Sequence, residues 1–156
     1  MPDRKMNLIL ETGVRNARNV GRYIFGQGAI DELGDILEIR RNGQNDSVIF
    51  VMDEFFRENV SLLPKLPYES GDQIFYVSAK DEPSTQSIDC LLARVTAVQS
   101  EPCAIVGIGG GSTLDSAKAL SNLLTNGGSA SDYQGWDLVR VPGIYKVGIP
   151  TLSGTG

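Results

Sequence analysis

Histidine does not occur among the 156 residues of this chain. A histidine general base, a Ser-His-Asp triad and a His-rich metal site are therefore excluded within it. Chemistry is left to carboxylates, lysines, tyrosines, hydroxyls, a cofactor or residues contributed by another segment. Cysteine is nearly as scarce. Cys90 and Cys103 make neither a disulfide framework nor a Cys-x-x-Cys pair, so both are expected to be buried small hydrophobes of a reduced protein. Apolar runs stay well short of the roughly 18–20 residues of a membrane span. Leu8-Ile9-Leu10, close to the amino terminus, is too short for the apolar core of a signal peptide, so a cytoplasmic protein with no membrane partner is expected. Positive charge is in deficit, with 14 Lys and Arg against 19 Asp and Glu and a net charge of −5. Phosphate-backbone binding needs a basic face, so no nucleic-acid partner is expected.

What remains is ordinary for one globular domain, with 41% apolar and 21% charged residues, and the length suffices for a core. Strand and helix patterns alternate along it. Val20 to Phe25 reads as an early strand, followed by the turn Gly26-Gln27-Gly28. Ile30, Leu33, Ile36 and Leu37 recur at helical spacing, and Arg40-Arg41 would complement the dipole at that helix end before the Asn42-Gly43 stop. Val48 to Met52 is a buried strand with Asp53 at its carboxyl end, Pro64 and Pro67 mark a loop, and Gln73 to Ser78 is a third strand. Ile88, Leu91, Leu92, Val95 and Val98 form a helical stripe started by Pro83-Ser84-Thr85. Ala104 to Ile108 is a strand, Thr113 to Leu124 a helix closed by Asn126-Gly127-Gly128, and Val147 to Ile149 a last strand. This order predicts an α/β fold, a mostly parallel sheet with helices on both faces, and ligands beyond the carboxyl ends of the strands. Asp53, Ser78-Ala79-Lys80, the glycines and Thr151 onward would share that edge.

The strand Ala104–Ile108 runs into Gly109-Gly110-Gly111-Ser112, and Asp115 and Lys118 follow on the helix. Glycines let a backbone approach a phosphate, and free N–H groups at a helix start neutralise it. The same residues also fit a tight turn with Ser112 as N-cap and Asp115 completing a capping box. That alternative leaves three consecutive glycines without a reason. The run is neither the Gly-x-Gly-x-x-Gly fingerprint, since Ser112 stands where glycine is needed, nor a Walker loop, which would need a lysine. A carboxylate repels pyrophosphate, so Asp115 would face ribose, nicotinamide or substrate, with Lys118 one turn on as a possible ion-pair partner. Asp53 is suited to accept bonds from a ribose diol, and its charge would disfavour a 2′-phosphate. It equally fits a solvated turn, and it precedes the glycines where the usual arrangement has the acid after them.

Gly109-Gly110-Gly111-Ser112-x-x-Asp115-x-x-Lys118 together with Ile149-Pro150-Thr151-Leu152-Ser153-Gly154-Thr155-Gly156 resembles the iron-dependent (group III) alcohol dehydrogenases. Phe25-Gly26-Gln27-Gly28, Val51-Met52-Asp53 and Asp132-Tyr133-x-Gly135 fit the same family pattern along the whole chain. Glu82-Pro83-Ser84 departs from the more usual Asn-Pro-Thr, and Leu152 from a threonine. The resemblance implies a Rossmann-like, dehydroquinate synthase-like N-terminal domain over 1–156, cut before its last loop is finished. A helical metal-binding C-terminal domain, carrying Fe or Zn on one Asp and several His, would lie outside this chain. It implies NAD as cofactor, with Asp53 on the adenosine ribose, Gly109, Gly110, Gly111 and Ser112 on the pyrophosphate, and Thr151, Leu152 and Thr155 flanking it. Asp115 and Lys118 would lie near the nicotinamide ribose and the reaction centre. The implied activity is oxidation of a primary alcohol to an aldehyde by a homo-oligomer, a dimer, with this chain inactive alone. Within the family the sequence resembles the 3-deoxy-octulosonate 8-oxidase type, whose substrate is the terminal CH₂OH of a sugar acid. A dehydroquinate synthase or glycerol-1-phosphate dehydrogenase relative, and a non-catalytic nucleotide-binding module, stay open beside it.

Overall fold

The structure is a computed structural model that describes residues 20–152 apart from positions 42, 44, 79, 81, 99 and 100. Strands β1 (Val48–Asp53), β2 (Gln73–Val77), β3 (Ala104–Gly109) and β4 (Lys146–Pro150) form one sheet in the order β2-β1-β3-β4. All pairings are parallel, with Asp53 opposite Val77, Met52 opposite Ile108 and Gly109 opposite Pro150. Every carboxyl end therefore reaches the same edge. The chain leaves β1 to one side for β2 and returns to the other side for β3. The point where strand order reverses, the usual ligand crevice of such sheets, lies between β1 and β3.

Each face of the sheet carries its own core. Val48, Phe50, Met52, Val106 and Ile108 point to the side covered by the helix α1 (Leu33–Glu38) and by α2 (Phe55–Glu58) with the 3-10 turn Val60–Lys65. Ile49, Val51 and Ile105 point to the side covered by α3 (Thr85–Thr96) and α4 (Gly111–Asn126). Period-two alternation on the central strands thus feeds two apolar layers, as a strand buried on both faces requires. Helix α3 starts where expected because Ser84 and Ser87 form a reciprocal cap on its first N–H groups. No helix among the described residues is long and apolar enough to cross a membrane.

Several expectations are corrected. Val20–Phe25 is not a strand: neither edge strand pairs with it, and Val20, Tyr23 and Phe25 are exposed. The turn after it does form, with Gly26 and Gly28 at positive φ, 137° and 83°. The stretch around Pro64 is a 3-10 turn with Leu62 and Leu63 packed on the core, not an open loop. Val98 lies past the end of α3 and is exposed, and Cys90 is exposed on that helix. Helix α1 ends at Glu38 with no basic residue in its last turn, so Arg40 and Arg41 lie past it and serve other contacts than the expected complement to its dipole. The Arg40 guanidinium lies over the Tyr145 ring at 3.8 Å, and Arg41 makes a two-pronged bond to Asp72 at 2.9 and 2.7 Å.

Candidate functional site

The turn between β3 and α4 explains its glycines one at a time. On β3, Ile105, Gly107 and Gly109 share the face beneath α4. A methyl group on Gly107 would meet the Ala117 side chain at 2.8 Å, and one on Gly109 would meet Thr113 at 2.7 Å. These two glycines let the helix lie directly on the strand. Gly110 faces Leu152, whose Cδ1 would be 3.2 Å from an added Cβ. Gly111 differs from all of them: an added Cβ there meets nothing within 4 Å. No packing inside the described chain asks for glycine at that position.

The helix begins two residues earlier than the sequence pattern indicates, with Gly110 as N-cap and no side-chain capping bond. The carbonyl of Gly110 accepts from both Thr113 and Leu114, at 3.1 Å each. Ser112 is therefore inside the first turn and is not the cap, and Asp115 closes no capping box. The reason is the packing just described, because Thr113 and Ala117 must sit over Gly109 and Gly107. The first N–H groups of a helix have no intrahelical acceptor, and those of Gly111 and Ser112 are left without a capping side chain. They form the positive end of a 16-residue helix at the carboxyl edge of the sheet. Thr113 sits beneath with its hydroxyl buried and unpartnered, a burden that tight packing at Gly109 imposes.

Gly111, Ser112 and Asp115 line a cleft of about 670 Å³ whose other wall is Glu82, Pro83 and Ser84 ahead of α3, a size in the range of small-molecule sites. A smaller cleft of about 230 Å³ continues along α4 past Asp115 to Lys118, Asn122 and Tyr133. Lys118 makes no ion pair with Asp115 among the described residues. It lies close enough to Lys146 to help lower that ammonium's pKa, after the larger effect of partial burial. The floor is fixed by neighbouring bonds. Asp89 of α3 accepts from Ser129 Oγ at 2.6 Å and from the Ala130 N–H at 2.8 Å, and these bonds hold its carboxyl below the ordinary range. Asp132 and Tyr133 likewise serve structure: Asp132 caps the Ser129 N–H, and the Tyr133 hydroxyl donates to the Gly127 carbonyl.

The remaining predicted residues are spread along the same edge. Thr151 extends the β3–β4 ladder by donating its N–H to Gly109 at 3.0 Å, and Leu152 is exposed beside Gly110. Thr155 lies outside the described residues. Asp53, last residue of β1, accepts the Phe55 N–H through Oδ1 at 2.9 Å, so it holds the entry to α2 and keeps a second carboxylate oxygen. It stands across the strand-order reversal from the glycine turn and does not line the larger cleft. Sequence reasoning missed Gly107 as a packing residue, although its period-two spacing with Gly109 was a usable signal. Among the described residues no group of three His, Cys, Asp or Glu side chains could hold a metal ion.

The family model described as iron-containing alcohol dehydrogenase matches residues 21–156. An NAD-dependent methanol dehydrogenase of Bacillus methanolicus is 33% identical over 137 residues, 85% of this chain and 34% of that protein. A sulfoacetaldehyde reductase of Bilophila wadsworthia is 43% identical over 81 residues, 52% of this chain and 20% of its own length. The crystal structure of sulfoacetaldehyde reductase from Bifidobacterium kashiwanohense in complex with NAD+ has the same fold, with a TM-score of 0.66 at 23% identity over 84% of this chain and 34% of that one. The chain thus spans about a third, or less, of the length of these relatives.

Proposed function

Since the chain belongs to the iron-containing alcohol dehydrogenase family, we propose that residues 1–156 are the dinucleotide-binding domain of an NAD-dependent enzyme that interconverts a primary alcohol and its aldehyde. The observation that carries this is the uncapped start of α4, where nothing among the described residues gives Gly111 a steric reason to be glycine. An approaching pyrophosphate supplies one. The Gly111 and Ser112 N–H groups would hold it, Asp53 would accept from the adenosine ribose with its free oxygen, and Thr151 and Leu152 would flank the cofactor. When bound, NAD accepts a hydride from the carbinol carbon.

The iron in the family's name does not fit the described residues: they bring no ligand set together, and the chain has no histidine. The metal, Fe or Zn, would be held by residues from outside this chain. Asp115 and Lys118 then face the reacting end of the cofactor, and a terminal CH₂OH of a sugar acid is one substrate of the proposed class.

Calorimetric titration of the intact protein with NAD+ tests the reading through Gly111→Ala. Because the added methyl has room and alanine is the better helix former, stability should hold or rise by up to about 1 kcal/mol. Affinity should fall roughly tenfold or more, the equivalent of about 1.4 kcal/mol. Unchanged affinity with a normal melting curve would overturn the cradle.

A further inference from the structure

The loop that leads from α4 to β4 is pinned at both ends and apolar in between. At its start the Tyr133 hydroxyl donates to the Gly127 carbonyl at 2.8 Å. At its end the Asn126 side chain grips Val141 twice, donating to its carbonyl at 2.9 Å and accepting from its N–H at 3.0 Å. Gly143, just beyond, lies too close to Ser121 and Asn122 to carry a side chain. Between these anchors the chain turns through Asp137, whose φ of 57° is left-handed and uncommon for a residue other than glycine. The turn leaves Trp136 95% exposed, and Leu138, Val139 and Val141 are exposed with it. Single exposed apolar residues are ordinary. A run of them on a loop fixed from both sides, with a tryptophan at its tip, marks a contact surface, and tryptophan is among the residues most enriched at the energetic centre of such contacts.

Val139 carries this surface to the smaller cleft, which Asp115 and Lys118 line from α4. On the reading above, the metal reaches the same end of the cofactor on polypeptide from outside residues 1–156. The 34% of the methanol dehydrogenase that the chain matches leaves most of such a polypeptide to do the covering. Resting on that reading, we propose that the Trp136 loop is the docking surface for the metal-bearing part of the same polypeptide, with Trp136 seated in it and the smaller cleft closed between the two. The shared cleft gives that part a reason to lie against Val139 that a second copy of the chain lacks.

The test uses the intact protein. Its tryptophan emission minus that of Trp136→Phe isolates Trp136, and the photocrosslinker p-benzoylphenylalanine at position 136 reports what lies against the loop. Trp136 should emit to the blue of its position in the urea-unfolded protein, and acrylamide should quench it several-fold less than there. The photoproduct should keep the mass of a single subunit and join position 136 to a peptide beyond residue 156. A product of twice the subunit mass would give the loop to a second copy, and quenching as strong as in the unfolded protein would leave it in water; either overturns the proposal. Crosslinks confined to residues 1–156 would overturn it as well. Trp136→Phe should bind NAD+ as the unaltered protein does. Failure of the unaltered protein to bind NAD+ would overturn the cofactor reading alone, because the photoproduct still decides what covers the loop.

Discussion

At the amino end of the sheet Asp72 gathers four donors, two from Arg41 and one each from the Val48 and Glu69 N–H groups, and is 1% exposed. The Tyr68 hydroxyl and Arg41's further bonds to the Asp46 and Pro67 carbonyls complete the closure, and the bond to Asp72 raises the Arg41 pKa against the opposing effect of burial. At the carboxyl end the corresponding groups are main-chain N–H donors with no side chain placed to receive them. One end satisfies itself, and the other leaves its valences for something else. A parallel sheet makes that division easy, since all strand starts share one edge and all strand ends the other.

The largest way to break the comparison is Asp72→Asn. Its amide would set an NH₂ among donors and leave Arg41 with an incomplete partner, so unfolding in urea should show a loss of about 3–5 kcal/mol. Dinucleotide affinity of the folded fraction should not change. A loss confined to binding would mean the two ends are not separate in role.

Next in size is Gly109→Ala, the counterpart of the Gly111 change. The methyl would stand 2.7 Å from Thr113, and overpacking of this kind costs about 1–3 kcal/mol. Gly109→Ala should therefore lower the melting temperature, while Gly111→Ala lowers affinity instead. Like behaviour of these two substitutions, two residues apart, would mean that packing against Thr113 does not set Gly109 apart from Gly111.

The four described strands, α3 and α4 were legible because their apolar periods are long and are bounded by turn residues. The Ser112–Asp115 spacing pointed to a cap that does not form, because packing of Thr113 and Ala117 on Gly109 and Gly107 decides where α4 begins. Arg41 and Asp72 are 31 residues apart, and no local pattern couples them; only the β2–β1 pairing brings them together. Val20–Phe25 looked like a strand because it is apolar, but apolarity does not supply a neighbouring ladder. Of the site, the glycines, Ser112 and Asp115 were legible as one motif, whereas the opposing wall at Glu82 needed the fold.

The smallest expected effect sharpens the comparison at Asp53, where the carboxyl end is partly self-satisfied. In Asp53→Gly, loss of the bond to the Phe55 N–H should cost at most about 0.5–2 kcal/mol, as for a lost helix cap. In the intact enzyme, removal of the charge should raise kcat/KM with NADP relative to NAD. A drop in stability with an unaltered cofactor ratio would assign Asp53 to the turn alone.

Gly107, Gly109, Gly110 and Gly111 have one more consequence, and it lies in the unfolded chain. Each glycine there has more backbone freedom to lose than alanine would, roughly 0.5–1 kcal/mol per residue, so the four together make disorder more attractive by about 2–4 kcal/mol. That is comparable to what the Arg41–Asp72 pair stands to lose when broken. The segment best suited to receive a ligand is thus the one that gains most from coming apart, and the far edge of the sheet supplies the cohesion that keeps it in place.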